Sequence, residues 1–247
     1  MTRRSIFKRI KKLFFAFVPT RFFGLMLSYE PDAEQAKQVE NCKSHWQAFI
    51  KHNKGNNKGD QARFYSLLYN LEYLLENKVQ GNFAEVGVWR GNTAALLADY
   101  ANRYNRRLYL YDTFQGFDHR DLTDIDKNIN KMFDNTSIEL LKDVIGLNFS
   151  VCEIREGYFP QTVQDEASDK FSFVSLDADL YQPIREGLLF FYPRLAQGGL
   201  IFVHDYCSHN WDGCKKAVDE FLEQQKGCTI TILPDKSGTA VIGKPNV

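Results

Sequence analysis

The stretch Gly81–Tyr100, GNFAEVGVWRGNTAALLADY, decides the fold of this chain. Phe83–Val88 has the pattern of a short buried strand, and Thr93–Tyr100 has the pattern of the first turns of a helix. Gly87 and Gly91 punctuate the turn between them. A strand that enters a helix through a glycine turn presents backbone N–H groups and an uncovered main chain to a nucleotide-like ligand. The stretch therefore predicts an α/β fold with a ligand site at this turn.

The spacing within the turn narrows the class of ligand. Gly87 lets a ligand approach the main chain, and Thr93 or Asn92 can cap the new helix. Glu85 precedes a G-x-x-x-G pattern that ends at Gly91, which differs from the G-x-G-x-x-G of dinucleotide binders. The pattern suits a ligand without a pyrophosphate, such as S-adenosylmethionine, and disfavours an NAD-dependent dehydrogenase. A glycine turn that binds no ligand is the alternative.

Composition limits the class of protein. A chain of 247 residues with 44% hydrophobic content can bury one large core, so we expect one main domain. The 31 basic and 31 acidic residues balance, which argues against a nucleic-acid binder. Five scattered cysteines, an odd number, indicate reduced thiols and a cytoplasmic protein. No apolar run reaches the ~18–20 residues needed to span a bilayer.

The first 25 residues, MTRRSIFKRIKKLFFAFVPTRFFGL, carry seven basic residues and no acidic one. The apolar run Leu13–Val18 is too short for a signal peptide, and no small-residue cleavage site follows it. One interpretation is a basic amphipathic helix, ended by Pro19, that lies on an anionic membrane surface. The alternative is a helix that packs on the core or on a second subunit. We assign residues 1–28 to this segment.

The remaining chain divides into a helical lead-in, residues 29–80, and an α/β domain, residues 81–247. The lead-in has helical patterns at Glu30–Ile50 and Phe64–Leu75, separated by a polar loop. Strands and helices then alternate, which predicts a doubly wound, mainly parallel seven-stranded sheet with an antiparallel C-terminal hairpin. Residues 118–135, rich in Asp and Asn, are predicted as a mobile lid. The other predicted strands are Arg107–Tyr111, Phe149–Arg155, Phe171–Leu176, Leu200–Val203 and a pair within Cys228–Ile242; the other helices are Ser137–Val144, Ile184–Tyr192 and Gly213–Gln224, with a turn at Pro193–Gly199.

Polar side chains gather where these strands end, which is where open α/β sheets bind ligands. Asp112 follows the second strand at the distance from Gly87 where an acidic residue takes the ribose hydroxyls of a nucleoside. A helix cap or a loop aspartate is the alternative for Asp112. Gly157, after the third strand, is assigned to the same cofactor pocket. The strand-end groups are Glu85, Asp112, Glu156, Asp177, Asp179, His204 and Asp205.

The last four of these groups predict a metal site. Asp177 and Asp179 lie on one side of an extended segment if strand alternation continues, and His204 and Asp205 end the next strand. Asp177, His204 and Asp205 suit Mg²⁺, Mn²⁺ or a similar ion, which leaves Asp179 as a general base. The alternative is an acidic cluster satisfied by backbone N–H groups and by Lys or Arg. Zinc on His204, Cys207, His209 and Cys214 is disfavoured because the spacing matches no common zinc module.

At these residues the sequence resembles the macrocin O-methyltransferase family, whose members methylate sugar hydroxyls of macrolide and aminocoumarin antibiotics. The resemblance covers about residues 60–243 and rests on AEVGVWRGNTA, LYDTFQGF, VSLDADLYQPIREGLLFFYPRLAQGGLIFVHDY and GCKKAVDEF. It implies a class I S-adenosylmethionine-dependent methyltransferase, often dimeric, that uses Mg²⁺. By motif, it implies that Glu85 and Gly87 line the cofactor pocket, that Asp112 takes the ribose, that Asp177 is a metal ligand and that Asp179 is the base. We also assign Gly91, Thr93, Gly157 and Asp177 to the cofactor pocket.

The sequence departs from that family at one metal ligand. The family typically has Asp-Asp after the fifth strand, whereas this chain has His204-Asp205. Mg²⁺ prefers oxygen ligands, so the imidazole favours Mn²⁺, Fe²⁺ or another ion, or weak binding, or none. We expect Asp179 to deprotonate a hydroxyl, most simply that of a sugar. A catechol-type methyltransferase and a non-catalytic adenosyl-binding scaffold at a membrane are the alternatives.

Overall fold

The structure, a computed structural model, describes residues 42–225 and 227–244. The basic segment 1–28, its membrane contact and the first part of the helix predicted at Glu30–Ile50 lie outside these residues. Within the described ranges, no helix has the length and apolar character needed to cross a bilayer.

In the part of the chain that the structure describes, three helices precede the sheet: α1 (Cys42–Ile50), α2 (Lys54–Asn57) and α3 (Gln61–Glu76). Asp60 caps α3, because its side chain accepts a hydrogen bond from the backbone N–H of Arg63. The apolar positions of α3 are buried, as its helical spacing predicts. The predicted helix Phe64–Leu75 is confirmed and extends slightly at both ends.

The described part of the chain forms a seven-stranded sheet in the order β3-β2-β1-β4-β5-β7-β6. The first five strands are parallel, and β7 pairs antiparallel with both β5 and β6. This confirms the predicted doubly wound sheet with a C-terminal antiparallel hairpin. The strands are β1 (Asn82–Val86), β2 (Leu108–Asp112), β3 (Cys152–Glu156), β4 (Phe171–Leu176), β5 (Leu195–Val203), β6 (Thr229–Ile232) and β7 (Ala240–Gly243).

Four helices connect these strands: α4 (Asn92–Arg103), α5 (Ile138–Ile145), α6 (Tyr181–Arg194) and α7 (Asp212–Gln224). The central strands are buried on both faces, and β4 is buried along its whole length, as expected for parallel strands covered by helices. The strand order reverses between β1 and β4, so the carboxyl ends of these two strands open a crevice. That crevice holds the site.

Two predicted elements were wrong. The third strand begins at Cys152, and residues 146–151 form a 3₁₀ helix, because only Cys152–Glu156 have partners on the neighbouring β2. The predicted turn at Pro193–Gly199 does not exist as such: α6 runs to Arg194, and β5 starts at the next residue. The glycines there lie at a shift of register against β4, which places the irregularity inside the strand.

Candidate functional site

A cavity of about 420 Å³ lies at the carboxyl ends of the central strands. Small-molecule sites usually span roughly 300–1,000 Å³, so the cavity has a suitable size. Gly91 and Glu156 lie outside its lining. The predicted site residues that line it are Glu85, Gly87, Thr93, Asp112, Gly157, Asp177, Asp179, His204 and Asp205.

The glycine turn after β1 is closely packed against the end of β4. Gly87 has φ +82°, and a Cβ there would lie 2.2 Å from the backbone oxygen of Asp177. No other residue fits this position without moving the backbone that carries Asp177. Gly91 has φ +80°, and a Cβ there would lie 2.2 Å from the Leu141 side chain on α5. Gly87 thus brings the end of β1 against the end of β4 at the cavity, and Gly91 brings the start of α4 against α5.

The start of α4 differs from the prediction. Gly91 is the N-cap, so neither Asn92 nor Thr93 caps the helix through its side chain, and that prediction was wrong. The Asn92 side chain instead donates to the backbone oxygens of Ala48 and Lys51, because its position inside the first turn points it toward the lead-in helices. The first N–H groups of α4 consequently have no side-chain cap at this residue.

Asp112, at the end of β2, fastens the glycine turn. One carboxylate oxygen accepts hydrogen bonds from the backbone N–H groups of Val88 and Trp89, at 2.7 and 2.8 Å, and the other accepts from Phe114 at 2.7 Å. Burial raises the pKa of Asp112, although these three N–H groups oppose the shift. Its carboxylate retains acceptor capacity toward the cavity, since a carboxylate offers about four acceptor positions.

Glu85 lies inside the sheet and is 1% exposed. Burial raises the pKa of Glu85 well above its usual range, and the negative charge of Asp177 adds to the shift. Its Oε2 atom is buried and has no hydrogen-bond partner in the described residues. A buried carboxyl atom of this kind beside a cavity indicates that a ligand supplies the missing partner.

The charged centre of the cavity is built around Asp177. Arg63 of α3 donates from Nη2 to Asp177 Oδ2 at 2.6 Å. On the other side, Nδ1 of His204 lies 2.9 Å from Asp177 Oδ1 and 2.7 Å from Asp205 Oδ2. The alternative of an acidic cluster neutralised by a basic partner is therefore partly realised, because Arg63 occupies one oxygen of Asp177.

These contacts shift the protonation of the cluster. Burial would raise the pKa of Asp177, but the positive charges of Arg63 and His204 outweigh it, and the pKa falls below the usual range. Burial and Arg63 would lower the pKa of His204, but Asp177 and Asp205 outweigh them and raise it to about 10. Burial, Asp177 and Asp205 together raise the pKa of Asp179 well above its usual range.

The donor set of Asp177, His204 and Asp205 fits a divalent cation. Their ligand atoms lie within 4.8 Å of one another. The contacts of His204 Nδ1 with the two carboxylates are poorly aligned for hydrogen bonds, and neither ring nitrogen has a hydrogen-bond partner among the described residues. The distances from His204 Nδ1 to the two carboxylate oxygens are 2.9 and 2.7 Å. Neighbouring ligand atoms of an octahedral ion lie about 3 Å apart when each is about 2.1 Å from the ion, so these distances are similar. One imidazole with two carboxylates suits Mn²⁺ or Fe²⁺ better than Mg²⁺.

Asp179 reaches the same cavity by a different route from the predicted one. β4 ends at Leu176, and Asp179 has φ +60°, so strand alternation does not continue through these residues. The left-handed backbone turns the side chain toward Asp205, where a hydrogen bond between the two carboxyl groups helps to raise the pKa of Asp179. Asp205 has φ +63°, and non-glycine residues with such backbones are concentrated at functional sites.

The zinc alternative finds no support in the described residues. The group there with metal-ligand spacing is Asp177, His204 and Asp205. Cys207 is exposed, and the buried Cys214 directs its thiol to the backbone oxygen of His204.

Part of the segment 118–135 lines the cavity. Phe133 packs edge-on against Trp89 and Phe117, and it also contacts Trp211, with ring centroids 5.2 to 6.3 Å apart. Asp126 anchors the segment: it is 2% exposed, and its Oδ2 accepts from the backbone N–H of Tyr181 at the start of α6. A Cβ at Gly213, in the first turn of α7, would lie 2.4 Å from both Asp126 carboxylate oxygens. The segment is thus tied to two helix starts.

Two functional features escaped the sequence. Arg63 immediately precedes the apolar stripe of α3, where an arginine usually faces solvent, and no spacing connects it to Asp177. Trp211 lies in a loop, and its contact with Phe133 depends on the path of the segment 118–135. A cluster of aromatic residues near a strand end is the weak sequence signal that could have indicated Trp211.

Comparison with known proteins gives one family. Residues 31–236 match the family described as macrocin-O-methyltransferase (TylF). The mycinamicin III 3''-O-methyltransferase of Micromonospora griseorubida is 26% identical over 176 residues, which are 66% of this chain and 68% of that protein. The demethyldecarbamoylnovobiocin O-methyltransferase of Streptomyces niveus is 26% identical over 163 residues, 61% of this chain and 62% of that protein. The matched region is therefore about two thirds of these relatives' length.

A solved structure shows the same fold. The O-methyltransferase NovP superposes with a TM-score of 0.63 at 23% identity, over 74% of this chain and 80% of that one.

Proposed function

Because this chain belongs to the macrocin O-methyltransferase family, we propose that it transfers the methyl group of S-adenosylmethionine to a hydroxyl of a sugar or of a glycosylated small molecule. The observation that carries the proposal is the convergence of the glycine turn with Asp112, Asp177, Asp179 and His204 in one cavity. The turn, the buried Glu85 and Asp112 form the side that suits the methyl donor. Asp179 and the charged cluster form the side that suits the acceptor.

Asp179 performs the proton transfer in this proposal. As the acceptor oxygen attacks the methyl carbon, the C–S bond breaks, S-adenosylhomocysteine leaves, and the carboxylate of Asp179 takes the hydroxyl proton. Its raised pKa brings Asp179 closer to the range in which a proton acceptor is effective near neutral pH. Alignment of donor and acceptor in the cavity supplies much of the acceleration.

Asp177, His204 and Asp205 would hold a divalent cation beside Asp179. When bound, such an ion polarises a hydroxyl and lowers its pKa. Arg63 binds Oδ2 of Asp177, so Oδ1, which lies near His204, is available to the cation. We expect a preference for Mn²⁺ over Mg²⁺, because imidazole is a better ligand for the former. Titration with each ion, followed by calorimetry and by Mn²⁺ electron spin resonance, measures the preference, and the variant His204→Asp should move it toward Mg²⁺.

The test of the proposed function is calorimetric titration with S-adenosylhomocysteine, with and without Mg²⁺ or Mn²⁺, followed by transfer of radiolabelled methyl to a panel of glycosides. Micromolar binding and label in a glycoside support the proposal. Failure to bind under every metal condition would overturn it, whereas binding without transfer to any acceptor would favour the non-catalytic adenosyl-binding scaffold.

A phenol is the second candidate acceptor, because Phe117, Phe133 and Trp211 form an aromatic wall on which a planar ring can stack. Sugar rings also pack their C–H faces on aromatic side chains, so the wall suits both. A catechol included in the acceptor panel separates the two: label in the catechol alone would replace the sugar assignment.

The membrane contact of residues 1–25 and homodimer formation stay predictions. Liposome sedimentation of the full chain against a form lacking residues 1–25 tests the first, and equal pelleting of both forms would remove it. Light scattering of the full chain measures the second.

A further inference from the structure

The guanidinium of Arg63 is the feature of the cavity that the proposed reaction leaves unused. Its side chain is 11% exposed and lines the cavity. One nitrogen, Nη2, contacts both Asp177 Oδ2 at 2.6 Å and Thr93 Oγ1 at 3.3 Å. Nε and Nη1 make no hydrogen bond with the residues that the structure describes. A guanidinium carries five donors, so most of its binding capacity is available to a ligand.

The surroundings of Arg63 favour an anionic group at this place. Thr93 is the second residue of α4, and the first N–H groups of a helix lack intrahelical partners and attract negative charge. Gly91, the N-cap, supplies no side chain to satisfy them. Arg63, the Thr93 hydroxyl and the start of α4 therefore lie next to one another in the cavity lining. Planar guanidinium groups match the geometry of carboxylates.

Charge also restricts which part of a ligand can lie there. Arg63 lies near Asp60, Asp177 and Asp205, and a guanidinium cannot be deprotonated in a protein. It therefore stays charged. A phosphate would meet these carboxylates closely, whereas an amino acid carries a carboxylate and an ammonium side by side. The carboxylate can lie at Arg63 while the ammonium lies toward the acidic groups.

We propose that Arg63, with Thr93, binds the carboxylate of the methionine part of S-adenosylmethionine and so fixes the methyl donor beside Asp177. This inference rests on the proposed function. It assigns to the lead-in helix α3 a direct part in cofactor recognition, which the glycine turn alone does not provide.

The test compares two ligands that differ only in the carboxylate: S-adenosylhomocysteine and S-adenosyl-3-thiopropylamine, its decarboxylated form. Affinities are measured by calorimetry in EDTA for the wild-type chain, Arg63→Met and Arg63→Lys. We expect Arg63→Met to bind S-adenosylhomocysteine roughly 10- to 100-fold more weakly, because a charged hydrogen bond is lost, and the decarboxylated ligand within about threefold of wild type. Arg63→Lys should show a smaller loss with the same selectivity.

Lys236→Met is the matched control, because Lys236 is the other lysine or arginine side chain that lines the cavity. It should change both affinities by similar, small factors. Equal weakening of both ligands by Arg63→Met would show that Arg63 acts through Asp177 or the fold and would overturn the inference, as would no weakening of either.

Two further outcomes are distinguishable. If the wild-type chain does not bind S-adenosylhomocysteine, the proposed function fails together with this inference. If it binds but the loss is not selective, only the inference fails. Thermal unfolding monitors the variants, and where Arg63→Met does not fold, Arg63→Lys decides: a selective loss supports the inference, and an equal loss overturns it.

Discussion

Replacing Gly87 with alanine should destabilise the protein through a single backbone contact. Gly87 has φ +82°, and the added Cβ would lie 2.2 Å from the backbone oxygen of Asp177. Real Cβ atoms do not approach an oxygen so closely, so either the glycine turn or the end of β4 must move. The obstacle is backbone on both sides, which cannot be relieved by a change of rotamer.

Two terms contribute to the expected loss. Left-handed backbone costs an alanine about 1–2 kcal/mol relative to glycine, and overpacking a closely packed site typically costs about 1–3 kcal/mol more. We therefore expect Gly87→Ala to lower the free energy of unfolding by about 4 kcal/mol. Gly227→Ala isolates the first term, because Gly227 has φ +97° and a Cβ there would meet nothing within 4 Å. Its expected loss is about 1.5 kcal/mol.

Urea unfolding followed by tryptophan fluorescence measures both variants, and an unchanged slope with denaturant would show that the unfolded state is unaltered. Because the obstructing oxygen belongs to Asp177, Gly87→Ala should also weaken S-adenosylhomocysteine binding, whereas Gly227→Ala should not. If the two variants lose equal stability, the close approach of the glycine turn to β4 is not a constraint and the reasoning fails.

Three further predictions concern Asp179, Glu166 and Asp126. Asp179→Asn should lower the rate of methyl transfer by about 10²–10⁴-fold, because it removes the proton acceptor, and leave the affinity for S-adenosylhomocysteine nearly unchanged. Glu166→Gln should cost about 3 kcal/mol of unfolding free energy near pH 6, since the hydrogen bonds from Arg155 and Tyr111 outweigh burial and lower the pKa of Glu166 to about 2. That cost should shrink as the pH falls below about 4.5 toward 2, where the folded carboxyl also becomes protonated. Asp126→Ala should release the segment 118–135 from the starts of α6 and α7 and make it more sensitive to limited proteolysis.

Each of these has a result that contradicts it. A large loss of cofactor affinity in Asp179→Asn would remove Asp179 from the catalytic role. A stability difference for Glu166→Gln that stays constant from pH 6 to pH 3 would show that the buried ion pair with Arg155 is not the cause. Cleavage of Asp126→Ala at the wild-type rate, with Asp124→Ala as the exposed control on the same segment, would show that Asp126 does not hold the segment.

Much of the fold follows from local patterns. Two features were sufficient to predict a doubly wound, mainly parallel seven-stranded sheet. They are the glycine turn between β1 and α4 and the alternation of apolar strands with amphipathic helices. Errors arose where local pattern and pairing disagree. Phe149 and Val151 are apolar and have high strand propensity, but β2 offers no partner before Leu108, so the strand starts later. Pro193 and the following glycines resemble a turn, yet the register shift against β4 absorbs them.

The candidate site shows the same division. Strand ends of a parallel sheet meet at one edge, so the sequence by itself determined that Glu85, Asp112, Asp177, Asp179 and His204 share a cavity. Charge and chemical type led to the prediction of a cation at this set, whereas the glycine spacing and the family resemblance led to the prediction of a methyl donor.

Only the tertiary structure decided how those groups are used. Arg63 lies 114 residues before Asp177, and a side chain brought in by a preceding helix leaves no periodic trace near its partner. The same holds for Asp126, whose carboxylate accepts from the backbone N–H of Tyr181 in another segment, and for Asp179, whose left-handed backbone replaces the strand alternation expected of it. Periodicity in the sequence indicates which face of a helix or strand is buried. Pairing between distant side chains depends on packing in three dimensions, so no pattern within one segment predicts that pairing.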